Sequence, residues 1–314
     1  MKYIYSNFSS SGGVEKKIAR QCRLLDINTE EIVSLNFWVS CKFILRNWFV
    51  SDRSPVYLRE GLLANIVIAC CFCPDNLILE LNRPLSSIKG RRSTFILKIR
   101  RYFLKLLIVK AQKIVCVSSE IHGSLSEHAK HKSVVFENFF GFLDVESTSR
   151  KIDVSKQFDL VLVADLNQSW QARDFLESYL LKFSDRTLLH IGSGNLVAPN
   201  ATSVGYLSDP LQLTNCISGA RVAISQLGLK RIGLTQATPL KHVDYVNCGL
   251  PIISGATDQL LNDCYPIFEL KSECVNDLEQ LVLLALRAGS EPNLLELTRK
   301  LSTYSDKFRN FCLG

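Results

Sequence analysis

Residues 235–253 read Thr235-Gln236-Ala237-Thr238-Pro239-Leu240-Lys241-His242-Val243-Asp244-Tyr245-Val246-Asn247-Cys248-Gly249-Leu250-Pro251-Ile252-Ile253. Thr238 is a good helix N-cap, Pro239 suits the first helical position, and Gly249 suits the residue just past a helix end. The pattern predicts a short helix over about 239–248 that drops straight into a strand at Pro251–Ile253. Its start offers free amides and a partial positive charge to a phosphate, and Asp244 lies more than one turn in, on a neighbouring face. A carboxylate there accepts two hydroxyl hydrogens of a ribose diol, each charge-assisted bond contributing about 1.5–3 kcal/mol. An ordinary capped helix with a solvated aspartate is the alternative.

The helix-into-strand unit recurs along the chain. Short β-branched or aromatic runs alternate with helical patterns, the signature of βαβ units and parallel sheets. Strands are expected at Tyr3–Ser6, Glu31–Leu35, Pro55–Leu58, Leu77–Leu81, Lys113–Val117 and Ser133–Phe136, then at Asp159–Val163, Thr187–Ile191, Thr202–Val204, Arg221–Ile224 and Pro251–Ile253. With 314 residues, 47% of them apolar, the chain can fill two cores, and the polar stretch from Asp144 to Lys156 is the expected linker. Domains of 1–150 and 151–314 follow. No repeat or low-complexity tract points to a solenoid or a disordered scaffold.

Charge is unevenly placed. Residues 1–150 hold 22 Lys/Arg against 13 Asp/Glu, leaving 15 against 17 for the remainder. The basic half should face something anionic. The longest apolar run, Gly61 to Cys73, is too short to span a bilayer and ends at Pro74, and Met1 to Asn7 reads as a first strand rather than a leader. A cytoplasmic protein is expected. Eleven cysteines, several inside apolar runs (Cys70, Cys71, Cys116, Cys216, Cys248), fit reduced thiols; Cys70 and Cys73 lack the second pair a zinc site needs. No aspartate cluster has hard-cation spacing, so neither metal nor cofactor is expected. Neither a zinc finger nor an RNP-type segment is present to suggest nucleic acid.

Strand one runs into Ser11-Gly12-Gly13-Val14-Glu15, where paired glycines let backbone amides approach an anion at a helix start. Together with this loop, the segment Pro239-Leu240-Lys241, Asp244-Tyr245 and Gly249-Leu250-Pro251 resembles the P-L-K-x-x-E-Y-x-x-x-G-x-P block of glycosyltransferase family 4. Further pieces appear in the family's order: Leu79-Glu80-Leu81-Asn82, Ala111-Gln112-Lys113-Ile114-Val115-Cys116-Val117-Ser118-Ser119-Glu120, Glu137-Asn138, Val163-Ala164-Asp165-Leu166-Asn167, Ile191-Gly192-Ser193-Gly194 and Val204-Gly205-Tyr206-Leu207. The likeness covers nearly the whole chain.

The resemblance implies a GT-B type α/β fold, two Rossmann-like parallel-sheet domains facing a cleft, and a C-terminal helix that returns to the N-terminal domain. It implies retaining transfer of a sugar from a nucleotide-diphosphate sugar to a glycan or polyprenyl-linked acceptor, as in surface polysaccharide assembly. Asp244 stands at the family's ribose-binding glutamate and Gln236 at the first glutamate of its E-x7-E pair, while Gly12 and Gly13 would lie against the donor phosphates. Thr238, Pro239, Leu240 and Lys241 complete the donor segment.

Four sites depart from the family, the first being Asp244, one methylene shorter than its glutamate but of the same charge. Its diphosphate Lys-Gly reads Gln171-Ala172, so Arg173, Lys230 or Arg231 is expected to supply the cation. Its strand-end histidine reads Asn82. With Gln236 these departures leave open a silent GT-B protein that binds a nucleotide or a partner transferase; a nucleotide-sugar epimerase is a further alternative. The stretch Lys89–Lys113 sets Arg91, Arg92, Lys98, Arg100, Arg101, Lys105 and Lys110 among Phe95, Ile99, Phe103 and Leu107, and Trp38–Arg53 adds Phe43, Arg46, Trp48 and Phe49. Such a helix is either a core helix with a solvated basic face or a peripheral dock on anionic headgroups.

Overall fold

The computed structural model describes residues 2–4, 21, 24–25, 56–59, 76–82, 84, 94–138, 156–288 and 294–313. The expected strand Glu31–Leu35, the aromatic patch Trp38–Arg53, Cys70 to Cys73, Arg91 and Arg92, and nearly all of the expected linker lie outside these residues.

Two compact units divide the chain, the first comprising Met1–Phe140 with Thr303–Gly314 and the second Gly141–Ser302. In the first, β1 (Lys2–Ile4), β2 (Val56–Arg59), β3 (Leu77–Leu81), β4 (Lys113–Cys116) and β5 (Ser133–Val135) form one sheet in that order, and every pairing is parallel. One face carries Leu58, Leu79 and Leu81 against Leu104, Leu107 and Ile108 of α1 (Thr94–Lys110). The short helices α2 (Ser119–Gly123) and α3 (Glu127–Lys130) join β4 to β5.

The second unit holds β6 (Phe158–Val163), α4 (Arg173–Lys182), β7 (Leu188–Ile191), β8 (Ala201–Ser203), α5 (Pro210–Ser218), β9 (Ala220–Ile224), α6 (Lys241–Asn247), β10 (Ile252–Ser254), β11 (Ile267–Glu269) and α7 (Val275–Ala288). Its sheet runs β11-β10-β9-β6-β7-β8, again parallel throughout. The central strands β6 and β9 are largely apolar because both faces are covered: Leu160, Leu162, Val222 and Ile224 pack with Leu176, Tyr179 and Leu180 of α4 and Leu278 and Val282 of α7, and Val161 and Ala223, pointing the other way, are fully buried as well. The last helix, α8 (Leu294–Leu313), ends in the first unit, where Phe308 is fully buried against Tyr57 and Phe136.

Ten of the expected strands are present within one or two residues. The sequence marks no strand at Ile267–Glu269, which the fold adds as β11. The helix near residue 240 begins later than its caps suggest. Thr238 Oγ1 donates to Asp258 Oδ1 (2.9 Å) instead of capping, and Pro239 and Leu240 form a turn whose carbonyls accept from the His242 and Val243 amides. The helix therefore starts at Lys241, with no side-chain cap. Gly249 does close it, at φ 66°, the left-handed conformation glycine adopts without strain.

Candidate donor site in the second unit

The chain reverses direction across the second sheet between β6 and β9: β7 and β8 extend it one way, β10 and β11 the other. Open parallel sheets bind ligands outside the carboxyl ends of their strands at such a switch point. Register pairing of β6 with β9 ends at Leu162 and Ile224. There the fully buried Tyr245 phenol accepts from the Val163 amide (2.9 Å) and donates to the Ile224 carbonyl (2.9 Å). One hydroxyl thus ties α6 to both strands at the point where they part, and burial holds the phenol far above its ordinary value.

A second anchor comes from His242. Its Nδ1 lies 2.7 Å from Asp258 Oδ2 and its Nε2 2.7 Å from Ser225 Oγ, all three residues being fully buried. The carboxylate only accepts, so in the neutral ring the proton sits on Nδ1 and Nε2 accepts from the serine hydroxyl. The order of atoms is that of a serine-hydrolase triad, yet no carbonyl reaches a nucleophile with zero exposure. The chain is a brace. Asp258 Oδ1 also takes the amides of Leu260 and Leu261 (3.0 Å each), so the loop after β10 and the start of α6 are fixed together.

Those anchors set Lys241 and Asp244 of α6. Lys241 is half-buried and its Nζ donates to Gln171 Oε1 at 3.2 Å. Among the described residues no carboxylate pairs with it, and burial pulls its ammonium down to about 7. Asp244 lies on the same helix, half-buried. Gln171 closes the 3-10 turn Ser169–Gln171, and Ala172 follows at φ 52°, ψ 49°, the one non-glycine residue with positive φ among those described. The glycine that the resemblance expects at this position thus corresponds to a left-handed backbone, which alanine adopts here at a cost of about 1–2 kcal/mol.

Close approach shapes the neighbouring loops as well. Gly192, after β7, has φ 140°, and a Cβ on it would stand 2.0 Å from the Ala164 oxygen. His190 Nε2 meets that oxygen at 3.0 Å and Nδ1 meets Ser203 Oγ at 3.2 Å. Burial holds this imidazole below its ordinary value, and the positive charges of Lys241 and Arg173 push the same way. Two cations therefore act on His190, in β7.

The remaining expected residues fall as follows. Arg173 opens α4 and pairs with Glu177 at 2.8 Å. Lys230 donates to the Lys271 carbonyl. Arg231 is held between Asp174, at 2.6 Å, and Glu273, which sets both cations to bracing the turn Leu229–Ile232. Gln236 pairs as an isolated bridge with Thr257 and is half-buried. Thr238 faces Asp258, Pro239 and Leu240 form the turn before α6, and Gly12 and Gly13 lie outside the described residues. Asn82, in the first unit, with its amide oriented so that each end meets a complementary group, donates to Glu80 Oε1 (3.0 Å) and accepts from Arg59 Nε (3.1 Å). Sequence reasoning missed the Lys241–Gln171 contact, the Tyr245 clamp and the Glu80–Arg59 pair. Only the Asp-Tyr dipeptide hinted at any of them.

Among the described residues no group of three or more His, Cys, Asp or Glu is placed to hold a metal ion, and no helix is long and apolar enough to cross a membrane.

Two parallel-sheet α/β units of this kind make up the GT-B fold. No protein-family model and no curated protein matches the chain. Solved structures do. Anabaena Alr3699/HepE, in complex with UDP and glucose, is similar with a TM-score of 0.60 at 13% identity, over 99% of this chain and 94% of that one. A glycosyltransferase from Rickettsia africae gives 0.54 at 16%, over 99% and 92%. A UDP-GlcNAc 2-epimerase from Methanocaldococcus jannaschii gives 0.54 at 8%, over 100% and 99%. At these identities the likeness is one of fold.

Proposed function

We propose that this protein is a glycosyltransferase that takes a sugar from a nucleotide-diphosphate donor and delivers it, with retention, to a glycan or lipid-linked acceptor in surface polysaccharide assembly. The observation that carries the reading is Lys241. Its ammonium lies beside Gln171, the position at which family 4 transferases, which this sequence resembles, hold their diphosphate lysine, and no carboxylate among the described residues neutralises it. In this reading Lys241, with Arg173 behind it, neutralises the diphosphate as the glycosidic bond breaks, and electrostatic stabilisation of that leaving group is the main catalytic contribution. Asp244 takes the ribose hydroxyls, and Gly12, Gly13 and Gln236 approach the phosphates and the sugar. Lys230 and Arg231, held by a carbonyl and two carboxylates, position the loop instead. HepE in complex with UDP and glucose and the UDP-GlcNAc 2-epimerase share this fold, which favours a uridine donor.

The exposed stripe Phe95, Lys98, Tyr102, Lys105 and Val109 of α1, a helix without acidic residues, is the part of the basic half that this reading sets on an anionic membrane.

The test is a thermal-shift titration of the wild type, Asp244→Ala and Lys241→Met with UDP, GDP and their sugar conjugates, followed by donor turnover. A nucleotide at about 100 times its dissociation constant adds roughly 2.7 kcal/mol to stability. Stabilisation of the wild type and its loss in both variants are expected. No stabilisation by any nucleotide would sink the reading. Binding without turnover would favour a silent GT-B protein, and conversion of the donor without acceptor an epimerase.

A further inference from the structure

Glu80, near the end of β3, has no exposure at all. Its Oε2 accepts from the Tyr57 hydroxyl (2.7 Å) and Gln21 Nε2 (3.1 Å), and its Oε1 from Asn82 Nδ2 (3.0 Å). Arg59 closes the ring from the end of β2, its Nε lying 3.3 Å from Glu80 Oε1 and 3.1 Å from the Asn82 oxygen. Register explains the meeting, since Arg59 and Glu80 are direct partners across β2 and β3. Asn82, expected as a strand-end catalytic group, is one of the braces.

What the ring leaves open is the far edge of the guanidinium. Arg59 Nη1 is buried and has no hydrogen-bond partner among the described residues, although the side chain as a whole is 17% exposed. A guanidinium offers five N–H donors in a rigid fork, and among the described residues the contacts fall on Nε. Buried donors in native proteins are almost always satisfied, so an orphan of this kind points to a missing acceptor. Glu80 holds the cation in place while the site is empty, because four donors fix that carboxylate and no water reaches it. The fork is therefore preorganised at the carboxyl edge of a parallel sheet, where such sheets bind their ligands.

We infer that Arg59 forms an oxyanion site that takes a phosphate group through Nη1, backed by Glu80, Asn82, Tyr57 and Gln21. If the sugar-transfer reading holds, on which this last step rests, the phosphate belongs to the acceptor. The substrate class is then a phosphate-bearing glycan or lipid rather than a neutral sugar.

The probe is inorganic phosphate, titrated into the full chain at constant ionic strength and saturating UDP, with melting temperature as the readout. The wild type and Lys241→Met should show a rise that saturates, and Arg59→Gln and Arg59→Met should need at least about tenfold more phosphate for the same rise. Equal responses in the wild type and the Arg59 variants overturn the site. Should both variants fail to fold by circular dichroism, wild-type crystals soaked in tungstate decide: anomalous density within hydrogen-bond reach of Arg59 Nη1 supports the site, and density elsewhere alone refutes it. Loss of the UDP response with the phosphate response intact would remove the donor reading and keep the anion site.

Discussion

Replacing Tyr245 by phenylalanine removes one oxygen atom and tests whether α6 is clamped to the sheet as described. The phenol is fully buried and serves two backbone groups, accepting from the Val163 amide and donating to the Ile224 carbonyl, each at 2.9 Å. Without it both lie at the end of the β6–β9 pairing with no nearby replacement. A buried polar group left unsatisfied costs about 1–3 kcal/mol, so the loss should be about 2–5 kcal/mol. For a chain of 314 residues that lowers the melting temperature by roughly 3–8 °C. Tyr265→Phe is the internal control, because that buried tyrosine donates only to the Leu250 carbonyl (3.0 Å) and should lose about half as much. Urea unfolding of both variants gives the comparison, and amide exchange at Val163 locates it, with protection there falling in Tyr245→Phe alone. A Tyr245→Phe protein within about 0.5 kcal/mol of the wild type, or no weaker than Tyr265→Phe, would refute the clamp.

Acidity at Lys241 gives a second test. Its folded-state value, about 7 against an ordinary 10.5, means that between those limits the unfolded chain binds more protons, so the ligand-free protein should gain stability as pH rises through that window. A bound diphosphate restores the ammonium, so nucleotide affinity should fall above pH 7 by up to about tenfold per unit, and Lys241→Met should flatten both profiles in calorimetric titrations. At the loop after β7, Gly192→Ala would place a methyl 2.0 Å from the Ala164 oxygen on a backbone at φ 140°, and should leave little folded protein in circular dichroism at expression temperature, a loss above about 4 kcal/mol. Ala172→Gly should change stability by less than about 1 kcal/mol, because release from the left-handed backbone offsets the lost methyl and the freer unfolded chain. Ala172→Val, β-branched at φ 52°, should be clearly unstable in the same melts.

How far the sequence was legible follows the distance between the residues concerned. The strand Leu77–Leu81 appears with its expected bounds because a five-residue apolar run, buried along its whole length, carries its own signal. β11 is three half-buried residues after a proline, and it becomes a strand only because Ile252 to Ser254 lie alongside to pair with it. Thr238 has the chemistry of an N-cap, and local rules assign it that role, but Asp258, twenty residues on, competes for the hydroxyl and wins. The same reasoning applies to charge. Arg173, Lys230, Arg231 and Lys241 are equivalent as letters, yet Asp174 and Glu273 engage Arg231, the Lys271 carbonyl engages Lys230, and Lys241 alone meets a neutral amide seventy residues away.

Arg59 and Glu80 carry that argument to its limit. Arg59 belongs to no motif, Glu80 enters only as one letter of the Leu79–Asn82 strand-end piece, and an Arg and a Glu 21 positions apart predict nothing. Parallel register between β2 and β3 sets them side by side, and the pleat turns Tyr57 to the same face as Arg59. Four donors then close on one carboxylate, and the geometry of a planar guanidinium leaves Nη1 without a partner among the described residues. Local sequence therefore determines which groups are available in each unit. Strand register determines which of them are consumed in bracing the fold and which remain able to bind, so binding determinants in a chain this far from its solved neighbours are read from pairing rather than from motifs.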